Sequence, residues 1–301
     1  MEGHDSRGKI LDPLIIAKIQ KLVIRARLIV DGILSGYHAS PDYGSSVEFL
    51  EHKEYAPGDE LRHLDWKVLG KSGRYYIKKF EEETNLRAFL LVDATASMEY
   101  GSNSKPKIDY AVMLAASLSY LMLRQRDSVG LLSFGEGVEN YIRPNASPDH
   151  LNTLLSELAQ MRPQGATPLR EAVEMLASKA SRRGLVMVFS DLLDDAAMIS
   201  TALRRLRKRK HEVAVFHVLD PAEINFPFSG MTRFLDLESS KQVTCEAGAM
   251  AESYRRLFKE HFEGLYRELR SAEIDTVRAD TSIAPDKVLI DYLAARGRLR
   301  G

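Results

Sequence analysis

Arg87-Ala-Phe-Leu-Leu-Val-Asp93-Ala-Thr95-Ala-Ser97-Met98 carries the strongest fold signal in the chain. Ala88, Phe89, Leu90, Leu91 and Val92 form an unbroken apolar run that stops at Asp93, and hydroxyls follow at Thr95 and Ser97. A short continuous apolar run reads as a strand buried on both faces, as in a parallel sheet covered by helices. Ligand sites in such sheets lie just past the carboxyl ends of the strands. An Asp and two hydroxyls at alternate positions there offer three hard oxygens from one loop. That donor type suits Mg²⁺, which prefers an octahedral oxygen shell and usually keeps some water.

Outward from this strand, helical and strand patterns alternate, which is the α/β signature. Residues 106–124 predict a helix that is apolar nearly all round and therefore buried. Strands are expected over 128–134, 139–143, 185–189, 212–219 and 274–278. Helices are expected over 147–158, 168–181, 196–207, 249–270 and 285–296. Between 220 and 241 the pattern is less regular, broken by Pro221 and Pro227, with short strands expected over 232–237 and 242–245. Upstream, Asp12 and Pro13 open a first helix as N-cap and first helical residue, and Gly32 and Gly36 supply stops. Residues 47–53 and 74–80 are expected as short strands. The division expected is a small N-terminal segment, 1–85, and an α/β domain, 86–301.

Composition bounds the function. The chain has 301 residues, 45% hydrophobic and 28% charged, enough for a sizeable core. Lys+Arg and Asp+Glu balance at 42 each, so net charge does not point to nucleic acid. A single cysteine, Cys245, excludes an intramolecular disulfide framework and fits a reducing compartment. The polar start does not resemble a signal peptide. The first helix carries Lys18, Lys21, Arg25, Arg27 and Asp31, which argues against a membrane span and leaves a peripheral amphipathic helix as the alternative to docking on its own domain. The expected location is the cytoplasm, with peripheral attachment at the inner membrane as the alternative.

Three loops at expected strand ends or helix starts carry hard oxygens: Asp93-x-Thr95-x-Ser97, then Gly165-Ala166-Thr167-Pro168, then Ser190-Asp191. Each has a purely structural alternative. Thr167 before Pro168 is placed to cap a helix, Asp191 to form an Asx-turn, and Ser97 to cap the next helix. A parallel sheet would bring all three loops to one edge, which favours a shared ion.

A second dense stretch is Tyr55-Ala-Pro57-Gly58-Asp59-Glu-Leu-Arg62-His-Leu-Asp65-Trp66. Pro57-Gly58 suits a type II turn, and Asp59, Arg62 and Asp65 are spaced to stack as ion pairs on a helical turn. Trp66, the chain's one tryptophan, is suited to anchor the segment. These residues suit an inter-segment latch, with direct partner contact as the alternative.

Two resemblances follow from these residues. Asp93-x-Thr95-x-Ser97, Thr167 and Asp191 resemble the metal-ion-dependent adhesion site of von Willebrand factor A-like domains. The usual pattern there is Asp-x-Ser-x-Ser, so Thr95 departs from it while keeping an oxygen in place. The resemblance implies a Mg²⁺ or other divalent ion touched by Thr95, Ser97 and Thr167, with Asp93 and Asp191 ligating or orienting water. It also implies that a partner's acidic side chain fills the last coordination position. More specifically, Tyr55-x-Pro57-Gly58-Asp59-x-x-Arg62-x-x-Asp65-Trp66-Lys67, with the later Gly73-Arg-Tyr-Tyr-Ile-Lys-Lys-Phe80-Glu-Glu-Glu83, resembles the bacterial family called domain of unknown function fifty-eight. That resemblance implies a von Willebrand factor A-like fold and a working partnership with a MoxR-type AAA+ ATPase acting on a client complex.

Other classes fare less well. Phosphatases with an Asp nucleophile of the haloacid dehalogenase type use Asp-x-Asp, and Thr95 stands where their general acid belongs. No Gly-x-x-x-x-Gly-Lys-Ser/Thr phosphate loop is present, so the chain is not expected to be an NTPase. The basic run 204–210 could suggest nucleic acid, but it falls at an expected helix C-terminus, where cations complement the macrodipole.

Overall fold

The computed structural model describes residues 13–38, 52–54, 76–78, 86–103 and 105–299. The 55–66 motif lies outside the described residues. The chain divides into two compact units, Met1–Ile33 with Asn85–Gly301, and Leu34–Thr84. This differs from the expected grouping, because the first helix, α1 (Pro13–His38), belongs through Ile33 with the large unit. Leu22, Ala26, Val30 and Ile33, at helical spacing, are buried, while Ile24 and Leu28 face outward. Asp31 also pairs with Arg124 of the large unit at 3.0 Å. In the smaller unit, β1 (His52–Glu54) pairs antiparallel with β2 (Tyr76–Lys78).

The large unit is built on a six-stranded sheet. Its strands are β3 (Arg87–Asp93), β4 (Ser128–Gly135), β5 (Gly137–Asn145), β6 (Leu185–Ser190), β7 (Glu212–Leu219) and β10 (Asp275–Asp280). The order is β10-β7-β6-β3-β4-β5, parallel throughout except for β5, which returns antiparallel along the edge of β4. The opening stretch is thus the centre of the sheet. From β3 the chain winds to one side through β4 and β5, then crosses to β6 and winds to the other. The carboxyl ends of β3 and β6 therefore flank the point where the winding reverses, which is where α/β sheets bind ligands.

Helices cover both faces. On one lie α4 (Leu169–Lys179), α5 (Ala196–Lys208) and α7 (Ala247–Ser271). There Phe89, Leu91, Val186 and Val188 of the sheet join Val173, Leu176, Leu203, Leu206, Phe262 and Leu265 in one cluster. On the other lie α2 (Lys107–Arg124), α3 (His150–Gln160) and α8 (Pro285–Leu299). Phe189 stacks on Phe216 there, and Phe216 meets Tyr292 of α8 edge-on. Each fully buried side chain of this kind stabilises the fold by ~1.5–3 kcal/mol, so a strand apolar on both faces is fixed in place.

Between β7 and α7 stand a one-turn helix, α6 (Pro221–Asn225), and a separate hairpin of β8 (Met231–Leu235) and β9 (Gln242–Glu246). Cys245 lies on β9, free and half-buried. No described helix is long and apolar enough to cross a membrane.

The basic run is occupied within the fold. Arg204 reaches Ser200, Ser271 and the Glu268 carbonyl, Arg205 pairs with Glu174, Arg207 with Glu273, and Arg209 donates to the Ala177 carbonyl. These guanidinium groups tie α5 to α4 and α7, which is a structural use for them.

Candidate metal centre

Three loops meet past the ends of β3 and β6 because main chain packs directly on main chain. The Ala94 amide donates to Phe134 O at 2.7 Å, Ala96 to Gly165 O at 2.9 Å, Gln164 to Ala94 O at 2.8 Å and Thr167 to Gly135 O at 3.0 Å. A Cβ on Gly135 would sit 2.5 Å from Ala94 O, and one on Gly165 2.5 Å from Gly135 O. Gly165 also has φ +71°, a left-handed value that glycine adopts without steric penalty. These two glycines allow the loops to touch.

On this base, Asp93, Thr95, Thr167 and Asp191 line one polar cleft, joined by Ser190, Asp194 and Glu238. The cleft encloses about 30 Å³, enough for a single water or ion. Ser97 adjoins it, its Oγ 3.1 Å from Thr95 Oγ1. All five residues expected at the site are therefore brought together.

None of the three structural alternatives is what these side chains do. The N-cap of α4 is Pro168, without a side-chain cap bond; the Leu169 amide is instead met by Asp194 Oδ2 at 2.9 Å. Thr167 Oγ1 donates to Gly135 O at 2.7 Å and accepts from the Gly137 amide at 2.6 Å. A hydroxyl has two lone pairs, so one remains for the cleft. Ser97 lies within a short 3₁₀ turn, Ala96–Glu99, rather than capping α2. Asp191 forms an ion pair.

Asp93 is buried, with Oδ1 accepting from the Thr95 amide (2.9 Å) and hydroxyl (2.7 Å), and Oδ2 accepting from Ser190 Oγ (2.5 Å). Even so, burial and then the Asp191 charge push its carboxyl up to about 7, against the smaller opposing effect of the Ser190 and Thr95 bonds. The negative charge here is under-compensated by the protein, and a divalent cation would correct that. The hard-oxygen donor set fits such an ion.

Sequence reasoning missed the site's rear wall. Lys107, at the start of α2, is fully buried, its Nζ 2.8 Å from Asp191 Oδ2 and 2.6 Å from Glu223 Oε1. Burial alone would push this ammonium down, but Asp191 and Glu223 more than offset it and lift it to about 12. Glu223 is held by a capping box, its Oε2 accepting from the Asp220 amide at 2.8 Å. The available signals were a lysine opening an otherwise apolar helix and the Asp220-Pro-Ala-Glu223 spacing. The Asp191 main chain is fixed by His217 of β7, whose Nε2 donates to Asp191 O at 2.9 Å while Nδ1 accepts from Tyr266. Burial holds that imidazole neutral, down at about 3.

The raised carboxyl gives a pH prediction. Between about 4 and about 7 the folded state holds the Asp93 proton while the unfolded chain has released it, so stability at this group falls as pH rises. In EDTA, the stability of wild type minus that of Asp93→Asn should decline by a few kcal/mol across that window, as read by urea unfolding at fixed pH values. A difference that is flat, or that rises with pH, contradicts the assignment.

The strand order, the one antiparallel edge strand and an acid-and-hydroxyl loop at the reversal point make the fold von Willebrand factor A-like. Among solved structures, BatB from Bacteroides thetaiotaomicron is similar at 15% identity and TM-score 0.46, covering 71% of this chain and 99% of that one. The SpRpn10 VWA domain is similar at 11% identity and TM-score 0.40, covering 68% and 93%. "Uncharacterized protein Rv1480" of Mycobacterium tuberculosis (strain ATCC 25618 / H37Rv) is 28% identical over 303 residues, covering 98% of this chain and 94% of its own. "Uncharacterized protein YeaD" of Bacillus subtilis (strain 168) is 30% identical over 168 residues, covering 55% of this chain and 39% of its own. A family profile described as "Protein of unknown function DUF58" matches residues 51–264, more than two thirds of the length. The chain belongs to that family.

Proposed function

We propose that this chain is a Mg²⁺-dependent protein-interaction module. Its ion is held by Thr95, Ser97 and Thr167, with Asp93 and Asp191 ligating or orienting water, and an acidic side chain of a client protein docks on it. Bound Mg²⁺ would supply a positive charge that offsets the desolvation of that incoming carboxylate. Lys107 holds Asp191 through one carboxylate oxygen, Oδ2. Thr95 and Ser190 orient Asp93. The observation that carries this reading is the convergence of all five oxygen-bearing residues on one small cleft whose acid is poorly compensated.

The same arrangement favours binding over hydrolysis. An Asp93 carboxyl that accepts bonds at both oxygens and is pushed toward its protonated form is a weak nucleophile. The place of a general acid is taken by a Thr95 hydroxyl already donating to Asp93. The partnership with a MoxR-type AAA+ ATPase, in assembling, activating or remodelling a client complex, rests on the resemblance carried by residues 55–83.

Both parts have one test. Tagged chain purified from native cells should retain an ATPase and a client in Mg²⁺, lose the client in EDTA, and lose it in Asp93→Ala, with circular dichroism unchanged. Client capture indifferent to chelator and to Asp93→Ala would overturn the reading. So would metal-dependent turnover of a generic phosphate ester that Asp93→Asn abolishes.

A further inference from the structure

One acid lining the cleft comes from a distant part of the chain. Glu238 comes from the tip of the β8–β9 hairpin, more than forty positions after Asp191 in the chain, and reaches the cleft from outside. The tip that presents it is internally built. Asp236 Oδ1 accepts from the Glu238 amide at 2.9 Å, its other oxygen accepts from Ser239, and its main chain exchanges bonds with Ser240 and Lys241. Below the tip, Phe234 of β8 packs on Phe226 and Phe228, and Phe226 lies on Tyr254 of α7. The hairpin is therefore anchored at its base and ordered at its end.

What the tip delivers is electrostatically awkward. Asp93, Asp191 and Asp194 already line the cleft that Glu238 reaches. Lys107, the ion-pair partner of Asp191, is shared with Glu223. A further carboxylate at such a mouth meets like charge, and a cation among the acids would relieve that repulsion.

We propose that Glu238 is the chain's own carboxylate for the outer coordination position of the ion, so that the hairpin tip closes the site in cis and an incoming acid must displace it. This rests on the divalent-ion reading above. The residue remains exposed, which suits a group that must leave. A module closed by its own glutamate would bind clients only when the hairpin yields, giving a partner that pulls on the hairpin control over the site.

The test uses Mn²⁺ as probe on the full chain, comparing wild type, Glu238→Gln, Glu238→Asp and Asp93→Ala. Calorimetric titration should show Glu238→Gln weakening Mn²⁺ by about tenfold or more, and Asp93→Ala abolishing binding. Water-proton relaxivity of the loaded protein should rise in Glu238→Gln, because water takes the vacated position. Glu238→Asp, one methylene shorter, should behave like Glu238→Gln. If Mn²⁺ binds wild type, is lost in Asp93→Ala and is held with the same relaxivity in Glu238→Gln, the cis carboxylate is refuted while the ion site stands. Weaker affinity with unchanged relaxivity refutes it equally, since a remote charge would act that way. No Mn²⁺ binding in wild type sinks both. Glu238 is exposed, so its variants should fold, and a thermal melt checks this.

Discussion

Lys107→Met should lower the free energy of unfolding by about 3–5 kcal/mol. The side chain is fully buried and is the shared counter-ion of Asp191 and Glu223. Methionine keeps most of the volume, so the loss comes chiefly from leaving two carboxylates without their cation rather than from a cavity. That is a large share of the ~5–15 kcal/mol by which a domain is stable. Urea unfolding should show a lower midpoint with an unchanged slope, since the surface exposed on unfolding stays the same. Adding Glu223→Gln to Lys107→Met should recover part of the loss, because one of the stranded charges is removed. A Lys107→Met loss below about 1 kcal/mol would show that this pair behaves as a solvent-exposed one.

Magnesium should stabilise the wild-type chain and leave Asp93→Ala unmoved. At a hundred times its dissociation constant a ligand specific to the folded state adds about 2.7 kcal/mol, a shift of a few degrees in a thermal melt for a domain of this size. Thr95→Ser keeps the oxygen and should keep most of the shift. Thr95→Val keeps the shape but removes both the oxygen and the bond to Asp93 Oδ1, and should lose it. If Asp93→Ala melts with the same Mg²⁺ shift as wild type, the ion binds elsewhere. If wild type shows no shift, the cleft holds no ion under those conditions and the interaction module must work without one.

Much of the fold was legible because the decisive strands are apolar on both faces. Ala88 to Val92 and Leu185 to Phe189 read as strands buried on both faces, and both are central strands of the sheet. Helix starts were harder. The helix expected from 147 begins at His150 with Asp149 as N-cap, because Asn145 Oδ1 takes the Ser147 amide into the preceding turn instead. The strand expected over 139–143 extends over Gly137–Asn145, since pairing to β4 decides its length rather than its mixed composition.

The candidate site divides along the same line. Asp93, Thr95, Ser97, Thr167 and Asp191 could be found because local motifs sit at strand ends, where topology alone gathers them. Lys107, Glu223 and Glu238 could not. Each depends on a long-range approach: Lys107 to Asp191, Glu223 to Lys107 and Glu238 to the cleft. A charged residue's sequence neighbours say nothing about which distant acid it will meet. The 55–66 motif, the most idiosyncratic in the sequence, lies outside the described residues.

On the proposed reading, the main-chain contacts among Ala94, Gly135, Gln164 and Gly165 would govern how an ion is taken up. Loops held apart in the free protein would have to be ordered by the ligand, and affinity would drop by the entropy lost in ordering them. Here that ordering accompanies folding, as sheet formation brings Phe134 O to Ala94 N. An arriving cation has only water and a few side-chain rotamers to rearrange. Uptake should therefore depend on dehydration of the metal rather than on any closing of the backbone.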